Sequence, residues 1–184
     1  MASFNLVPNQ YNPIVECFDL ELPQETNPKF TINEGYTTSD NYKRYTGRPY
    51  GRATAQGDYF TNIMHNNIMP LLVSHPHFRW SWPISLQTLI ETTQIKVTLF
   101  KDEIGWWQGK HEDPRIFAVS GVVHLQDCNQ GTTFTQDGYQ APTKKGTGAF
   151  WANCQWSHHE VPVVTAERMG YLVIAQWKFL DFAK

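Results

Sequence analysis

A succession of short predicted strands from Gln94 onward constrains the fold more than any other feature of the chain. Ile95, Val97 and Leu99 alternate with polar residues, as a half-buried strand requires. The segment 115–126 is almost continuously apolar, which is typical of a strand buried between two sheets. Further strands are predicted at 106–113, 132–134, 147–153 and 169–179, with Gly, Asn and Asp between them. Such a series favours a sandwich or a jelly roll.

The first half of the chain carries weaker patterns. A strand is predicted at 14–22, and a helix interrupted by Pro70 is predicted at 61–73. The segment 84–93 fits a short helix or a strand equally well. The segment 41–52 is basic, aromatic and punctuated by Gly and Pro, which predicts an exposed loop.

The length of 184 residues, without an internal repeat, indicates one domain with a substantial core. We predict a mainly β (α+β) fold over residues 1–184. Residues 94–184 would form a double-stranded β-helix, or jelly roll. Residues 1–93 would supply strands, loops and helices that pack outside it.

Composition excludes several classes of protein. Hydrophobic residues make up 41% of the chain and charged residues 17%, so a wholly disordered chain is not expected. The net charge of -2 provides no field that attracts nucleic acid or an anionic membrane, and no apolar stretch is long enough to span one. Three scattered cysteines suit free thiols in a reducing cytoplasm. The sequence says nothing about oligomeric state.

His111 and Asp113 are candidate metal ligands. Residues i and i+2 of a strand face the same side, so both side chains can converge while Glu112 points away. Two imidazoles and one carboxylate form the facial triad of non-haem Fe(II) oxygenases, which leaves metal positions open. The alternative is that His111 and Asp113 belong to an ordinary turn before Pro114.

The third ligand has two candidates at this point. His158 and His159 are adjacent, so on one strand they face opposite sides and only one can reach the metal. Arg168 follows nearby and opens an apolar strand. A buried arginine requires an anionic partner, because an unpaired buried charge is costly.

Several motifs occur together in the order of a known family. They are DEIGW at 102–106, HED at 111–113, VVHLQD at 122–127, GTTF at 131–134, KGTGAF at 145–150, and HEV at 159–161 followed by Arg168. This series resembles the Fe(II)/2-oxoglutarate-dependent oxygenases, and within them the prolyl-hydroxylase-like branch. The resemblance spans about 94–179, and the first 90 residues have no comparable match.

The resemblance implies an enzyme that uses Fe(II), O2 and the co-substrate 2-oxoglutarate. It would hydroxylate a substrate and release succinate and CO2. The residues implied for the metal and for catalysis are His111, Asp113 and His159. Those implied for 2-oxoglutarate are Arg168, Thr133 and His124, which stands where this branch commonly has a tyrosine.

The substrate is not indicated beyond a small molecule or a peptide, with a prolyl peptide or an amino acid as examples. Trp106, Tyr45 and Tyr50 are candidate substrate contacts, since aromatic side chains provide stacking surfaces. A halogenase of the same family usually has a small residue in place of the metal carboxylate, and Asp113 argues against that activity. The alternative from a different class is a non-catalytic jelly-roll binding or structural module.

Overall fold

The computed structural model describes residues 1–8, 11–24, 28–32, 42–154 and 157–178. Within these ranges no helix is both long and apolar enough to cross a membrane. The strands are β1 Ser3–Leu6, β2 Ile14–Phe18, β3 Thr31–Ile32, β4 Arg44–Thr46, β5 Thr93–Asp102, β6 Gln108–His111, β7 Phe117–His124, β8 Thr133–Phe134, β9 Tyr139–Gln140, β10 Gly148–Ala152, β11 His159–Val161 and β12 Arg168–Trp177. The helices are α1 Ala55–Ile63, α2 Met69–Ser74, α3 Pro76–Ser81 and α4 Leu86–Thr92, with a π-helical turn at Met64–Ile68.

The strands form two antiparallel sheets. The main sheet has the order β1-β2-β10-β7-β12-β5-β4-β3, and the minor sheet has the order β6-β11-β8-β9. Phe134 of the minor sheet packs in one buried cluster with Phe100 and Val122 of the main sheet. The two sheets therefore face each other across a shared core, the two-sheet arrangement of the predicted jelly roll.

The opposite face of the main sheet is covered by helices. Phe60, Met64, Ile68 and Leu72 recur every four residues and form a buried apolar stripe along the helical segment. They share a core cluster with residues of the main sheet, including Tyr171. The helices therefore leave the other face of the main sheet to the minor sheet and to the candidate site.

The helical segment passes Pro70 without ending. Proline lacks an N–H and its ring clashes with the carbonyl four residues earlier. The π-helical turn Met64–Ile68 comes directly before Met69–Ser74, and such a turn relieves this conflict by widening the helix. The segment 84–93, which fits either element in the sequence, is mainly the helix Leu86–Thr92, with Ser85 accepting a hydrogen bond from the Thr88 N–H.

Some predicted segments in the first half of the chain differ from the structure. The strand expected at 14–22 ends at Phe18, since Asp19 has φ of 54° and leaves the extended conformation. The segment expected to be an exposed loop at 41–52 contains a strand, β4, which adds to the edge of the main sheet beside β5. Asn41 itself lies outside the described residues.

Candidate metal and co-substrate site

The predicted metal ligands come together at the minor sheet. His111 of β6 and His159 of β11 are cross-strand partners, and their ring centroids are 4.3 Å apart. Asp113 follows β6 by two residues. One ligand atom from each of the three side chains lies within 4.8 Å of the others. Two imidazoles and a carboxylate at this spacing can hold one divalent metal ion.

Backbone carbonyls set the tautomer of both histidines. His111 Nδ1 lies 2.8 Å from the Gly109 carbonyl oxygen, and His159 Nδ1 lies 2.8 Å from the Ser157 carbonyl oxygen. A carbonyl oxygen can only accept, so each Nδ1 carries the proton and donates it. Each Nε2 then keeps its lone pair for a metal. Burial also lowers the pKa of His159, which favours the neutral ring.

The adjacent histidines face opposite sides, as strand alternation requires. The side chain of His159 is 4% exposed, whereas that of His158 is 39% exposed and its Nε2 lies 3.0 Å from a carboxylate oxygen of Glu112. His158 and Glu112 thus form a surface pair on the outward side of the same two chain segments. The structure brings His159, not His158, to Asp113.

Trp151 of β10 holds the candidate metal carboxylate. Its indole Nε1–H donates a hydrogen bond of 3.0 Å to Asp113 Oδ2, and its ring centroid lies 4.8 Å from that of His159. A donor in this position fixes the direction of the carboxylate and packs one of the imidazoles. Trp151 is therefore a positioning residue, which the ligand motif alone does not identify.

Replacing Trp151 with phenylalanine is expected to weaken Fe(II) binding by roughly 10–100-fold, the usual loss when a ligand's hydrogen-bond partner is removed. The substitution keeps an aromatic ring against His159 and removes only the N–H donor. Anaerobic titration with Fe(II) provides the measurement. Unchanged metal affinity in a folded W151F protein would show that the bond to Asp113 does not support metal binding.

Arg168 is fully buried at the start of β12. Its Nη1 donates to Asp102 Oδ2 at 3.0 Å, and its Nη2 reaches Thr132 Oγ1 at 3.4 Å. Asp102 also accepts two hydrogen bonds from Arg44 of β4, one of 2.6 Å from Nε and one of 2.8 Å from Nη2. Two guanidinium groups thus share one buried carboxylate.

This arginine cluster fits an anionic ligand. The side chains of Arg44, Asp102 and Arg168 carry a formal net charge of +1 among themselves, and Arg168 is the less fully bound of the two arginines. Arg168 Nε has no hydrogen-bond partner among the described residues. Burial also lowers the pKa of the Arg168 guanidinium, with Asp102 acting in the opposite direction. One carboxylate bound here would neutralise the cluster.

The cluster and the metal ligands line one internal space. Arg44, Arg168, His111, Asp113 and His159 all border it, and its volume is about 30 Å³. That volume is on the order of one water molecule. A bound dicarboxylate therefore requires the long side chains of the lining to adopt other rotamers. The residues that line this space match a ligand with one end on the metal and the other end on a guanidinium group.

Two predicted co-substrate residues lie elsewhere than expected. Thr133 pairs with Glu160 in the minor sheet, and it is Thr132 that borders the internal space and contacts Arg168. The residue of the GTTF motif beside Arg168 is therefore Thr132, since neighbouring strand residues face opposite sides. His124 is fully buried, with its Nδ1 3.6 Å from the Cys128 sulfur, and it does not border the internal space.

His124 is expected to make the protein less stable in acid. Burial, with the charge of Arg168 as a second cause, lowers the pKa of His124 to about 3. Between its ordinary pKa of about 6.5 and this value, only the unfolded chain takes up the proton, so stability falls as pH falls. From pH 7 to pH 5 this residue should remove roughly 2 kcal/mol of the free energy of unfolding.

His124→Gln tests this expectation, because glutamine does not titrate. Denaturant unfolding of both proteins at pH 7 and pH 5 gives the change in free energy for each. The wild-type protein should lose more stability than the variant over this interval. Equal losses in the two proteins would show that His124 does not remain neutral in the folded state.

The three candidate substrate contacts do not line the site. Trp106 is fully buried, with the Arg44 guanidinium carbon 4.2 Å from its ring centroid. Tyr45 donates a hydrogen bond of 2.7 Å to Glu103, and Tyr50 packs on Tyr171 on the helix-covered face of the main sheet. Trp106 thus packs on the arginine cluster, Tyr45 is bound to Glu103, and Tyr50 lies on the other face of the main sheet. A role for these residues in binding a substrate stays a prediction.

An open cleft of about 440 Å³ begins at Asp113 and leads to the surface. Helix α3 forms one wall through His77 and Trp80, and the side chain of Trp80 is 89% exposed. Arg115 and Asn153 also line the cleft. Because Asp113 borders both the cleft and the internal space, the cleft offers a route by which a second molecule can reach the metal position.

Comparisons with known proteins agree with this architecture. The prolyl-4-hydroxylase of Pseudomonas putida superposes with a TM-score of 0.54 at 13% identity, covering 80% of this chain and 78% of that one. A candidate oxygenase from Shewanella oneidensis gives a TM-score of 0.51 at 14% identity, covering 86% of this chain and 70% of that one. No protein-family model and no curated protein sequence matches the chain.

At these identities the likeness shows the fold. The chain has the double-stranded β-helix fold of the two oxygenase structures, with helices on the outer face of the main sheet. The predicted fold class is therefore confirmed.

Proposed function

We propose that this protein is an Fe(II)- and 2-oxoglutarate-dependent dioxygenase that hydroxylates a small molecule or a peptide. The observation that carries the proposal is the convergence of His111, Asp113 and His159 beside a buried arginine cluster with one excess positive charge. A metal with three protein ligands keeps open positions, and a guanidinium nearby suits the far carboxylate of 2-oxoglutarate. The motifs of the sequence and the fold support the same assignment.

The bound iron and 2-oxoglutarate would supply the chemistry, in which 2-oxoglutarate is decarboxylated to succinate as O2 is consumed and a substrate C–H bond is hydroxylated. The protein's own residues would bind the iron and 2-oxoglutarate and orient them. His111 and His159 would each present Nε2, since their Nδ1 protons are held by carbonyls. Arg168 would bind the far carboxylate, and the buried walls around it would exclude water.

The cleft that begins at Asp113 is the proposed substrate entrance. Its exposed Trp80 offers an apolar face for stacking, and Arg115 is a charged group at the same opening. A prolyl peptide and a free amino acid are the first substrates to test, because the motifs of the sequence resemble those of the prolyl-hydroxylase-like branch.

An anaerobic spectrum tests the proposal directly. Fe(II) and 2-oxoglutarate added together should produce a weak visible charge-transfer band, which should be absent in His111→Ala. Release of succinate in air, measured against peptides and amino acids, then identifies the substrate. The absence of a band at saturating ligand concentrations would favour the alternative, a non-catalytic jelly-roll binding module.

A further inference from the structure

Three charged residues form an in-register row across neighbouring strands. Arg44 of β4 is the direct partner of Asp102 of β5, and Asp102 is also the direct partner of Arg168 of β12. All three are buried, with relative exposures of 4%, 0% and 0% in that order. Side chains directly opposite each other on antiparallel strands lie close enough to interact strongly.

The two arginines of this row are bound differently. Arg44 occupies both oxygens of Asp102 through a bidentate pair, the strongest arrangement of these groups. Its guanidinium carbon also lies 4.2 Å from the ring centroid of Trp106 and 4.8 Å from that of Phe100. Arg168 has one hydrogen bond to Asp102 and a long one to Thr132, and its Nε has no partner among the described residues.

We propose that Arg44 determines how strongly Arg168 binds the co-substrate, by neutralising Asp102. With Arg44 in place, the charge of Asp102 is balanced by Arg44. The positive charge of Arg168 is then available to bind one carboxylate of a ligand. Without Arg44, Asp102 becomes the full partner of Arg168 and repels any other carboxylate. The inference rests on the proposed function, since 2-oxoglutarate is the ligand whose far carboxylate Arg168 would take.

The row makes a specific prediction about charge. Arg44→Gln lowers the net charge of the row from +1 to 0 and should weaken 2-oxoglutarate binding by at least about tenfold. Asp102→Asn in the same chain restores +1, and the double variant should bind within about threefold of wild type. A general loss of the fold would also lower Fe(II) affinity, whereas the charge of the row should affect only 2-oxoglutarate binding.

The experiment is an anaerobic calorimetric titration of Fe(II)-loaded protein with 2-oxoglutarate. It compares wild type, Arg44→Gln, Asp102→Asn and the double variant, with the Fe(II) affinity of each measured separately. Lys101→Gln is the matched control, because it removes a positive charge from β5 on the opposite face, where Lys101 pairs with Glu167. The control and all Fe(II) affinities should remain at the wild-type values.

The outcomes separate the two proposals. If wild-type protein with Fe(II) does not bind 2-oxoglutarate, the proposed function fails. If wild type binds but R44Q binds equally well, or the double variant stays as weak as R44Q, the role of Arg44 is overturned. If R44Q does not fold, the double variant Arg44→Gln/Asp102→Asn keeps the net charge of +1 and should bind 2-oxoglutarate within about threefold of wild type; a tenfold loss there would equally overturn the role of Arg44.

Discussion

Replacing His159 with alanine is expected to weaken Fe(II) binding by about 100-fold or more and to abolish succinate release. Loss of a residue that only supports a ligand costs 10–100-fold in metal affinity, so loss of a ligand itself should cost at least the upper value. His159 is buried, and its Nε2 is the atom left free by the bond to the Ser157 carbonyl. Anaerobic Fe(II) titration and a succinate assay provide the two measurements.

The adjacent histidine is a matched control for this experiment. His158 differs by one position, faces outward and pairs with Glu112 at the surface. His158→Ala should therefore leave Fe(II) affinity at the wild-type value. A similar loss of Fe(II) affinity in both variants would contradict the assignment of His159 as the ligand. It would mean that either substitution disturbs the local backbone, and that the loss does not come from one coordinating ring.

The second large effect is expected for Arg168→Ala, which should weaken 2-oxoglutarate binding by roughly 100-fold or more and leave Fe(II) binding nearly unchanged. Removing one partner of a buried, hydrogen-bonded charge pair costs about 3–5 kcal/mol, which corresponds to such a factor. The metal ligands lie on β6 and β11 or, for Asp113, directly after β6, so the loss of a side chain from β12 should leave them in place. Titration of each ligand separately under anaerobic conditions gives both affinities.

Arg48→Ala provides the control for Arg168→Ala, because Arg48 is an exposed arginine whose loss tests for a general charge effect. Its 2-oxoglutarate affinity should match wild type. Equal losses of Fe(II) and 2-oxoglutarate affinity in Arg168→Ala would contradict the separation of roles. That result would indicate that Arg168 maintains the whole site instead of binding one carboxylate.

Several strands of the second half of the chain were predictable from the sequence, because their residues either alternate between polar and apolar or form one apolar run. The alternation at Ile95, Val97 and Leu99 predicts β5, and the apolar run 115–126 predicts β7. β7 is buried on both faces because it lies in the main sheet, with the helices on one side and the minor sheet on the other. Helix α4 was not predictable, since its apolar residues fit both periods. The continuity of the helix past Pro70 also depends on a π-helical turn that no sequence signal indicates.

The candidate site was predictable only in part. Strand parity limits the third ligand to one of two histidines, and the resemblance selects His159. Neither strand parity nor the resemblance identifies Arg44. It lies in the segment 41–52, whose basic and aromatic residues with Gly and Pro predict an exposed loop. Its burial depends on pairing with β5, which is distant in the chain.

Asp102 and Trp151 carried weak signals. Asp102 is two residues from Phe100, so it lies on the same buried face of β5, and a buried carboxylate on a strand requires a cation. In the structure two cations, Arg44 and Arg168, are bound to Asp102. Trp151 belongs to the apolar strand β10, where an indole is expected to serve the core, and no sequence signal indicates that its N–H donates to Asp113.

The order of strands in the main sheet has a consequence for how far the protein could be shortened. β1 and β2 cover β10 at one edge, and β4 with β3 covers β5 at the other. A fragment that starts at Gln94 would retain every proposed metal ligand, yet it would expose unpaired backbone groups along both edges. Such edges recruit other chains. The metal-binding half should therefore self-associate when it is made alone.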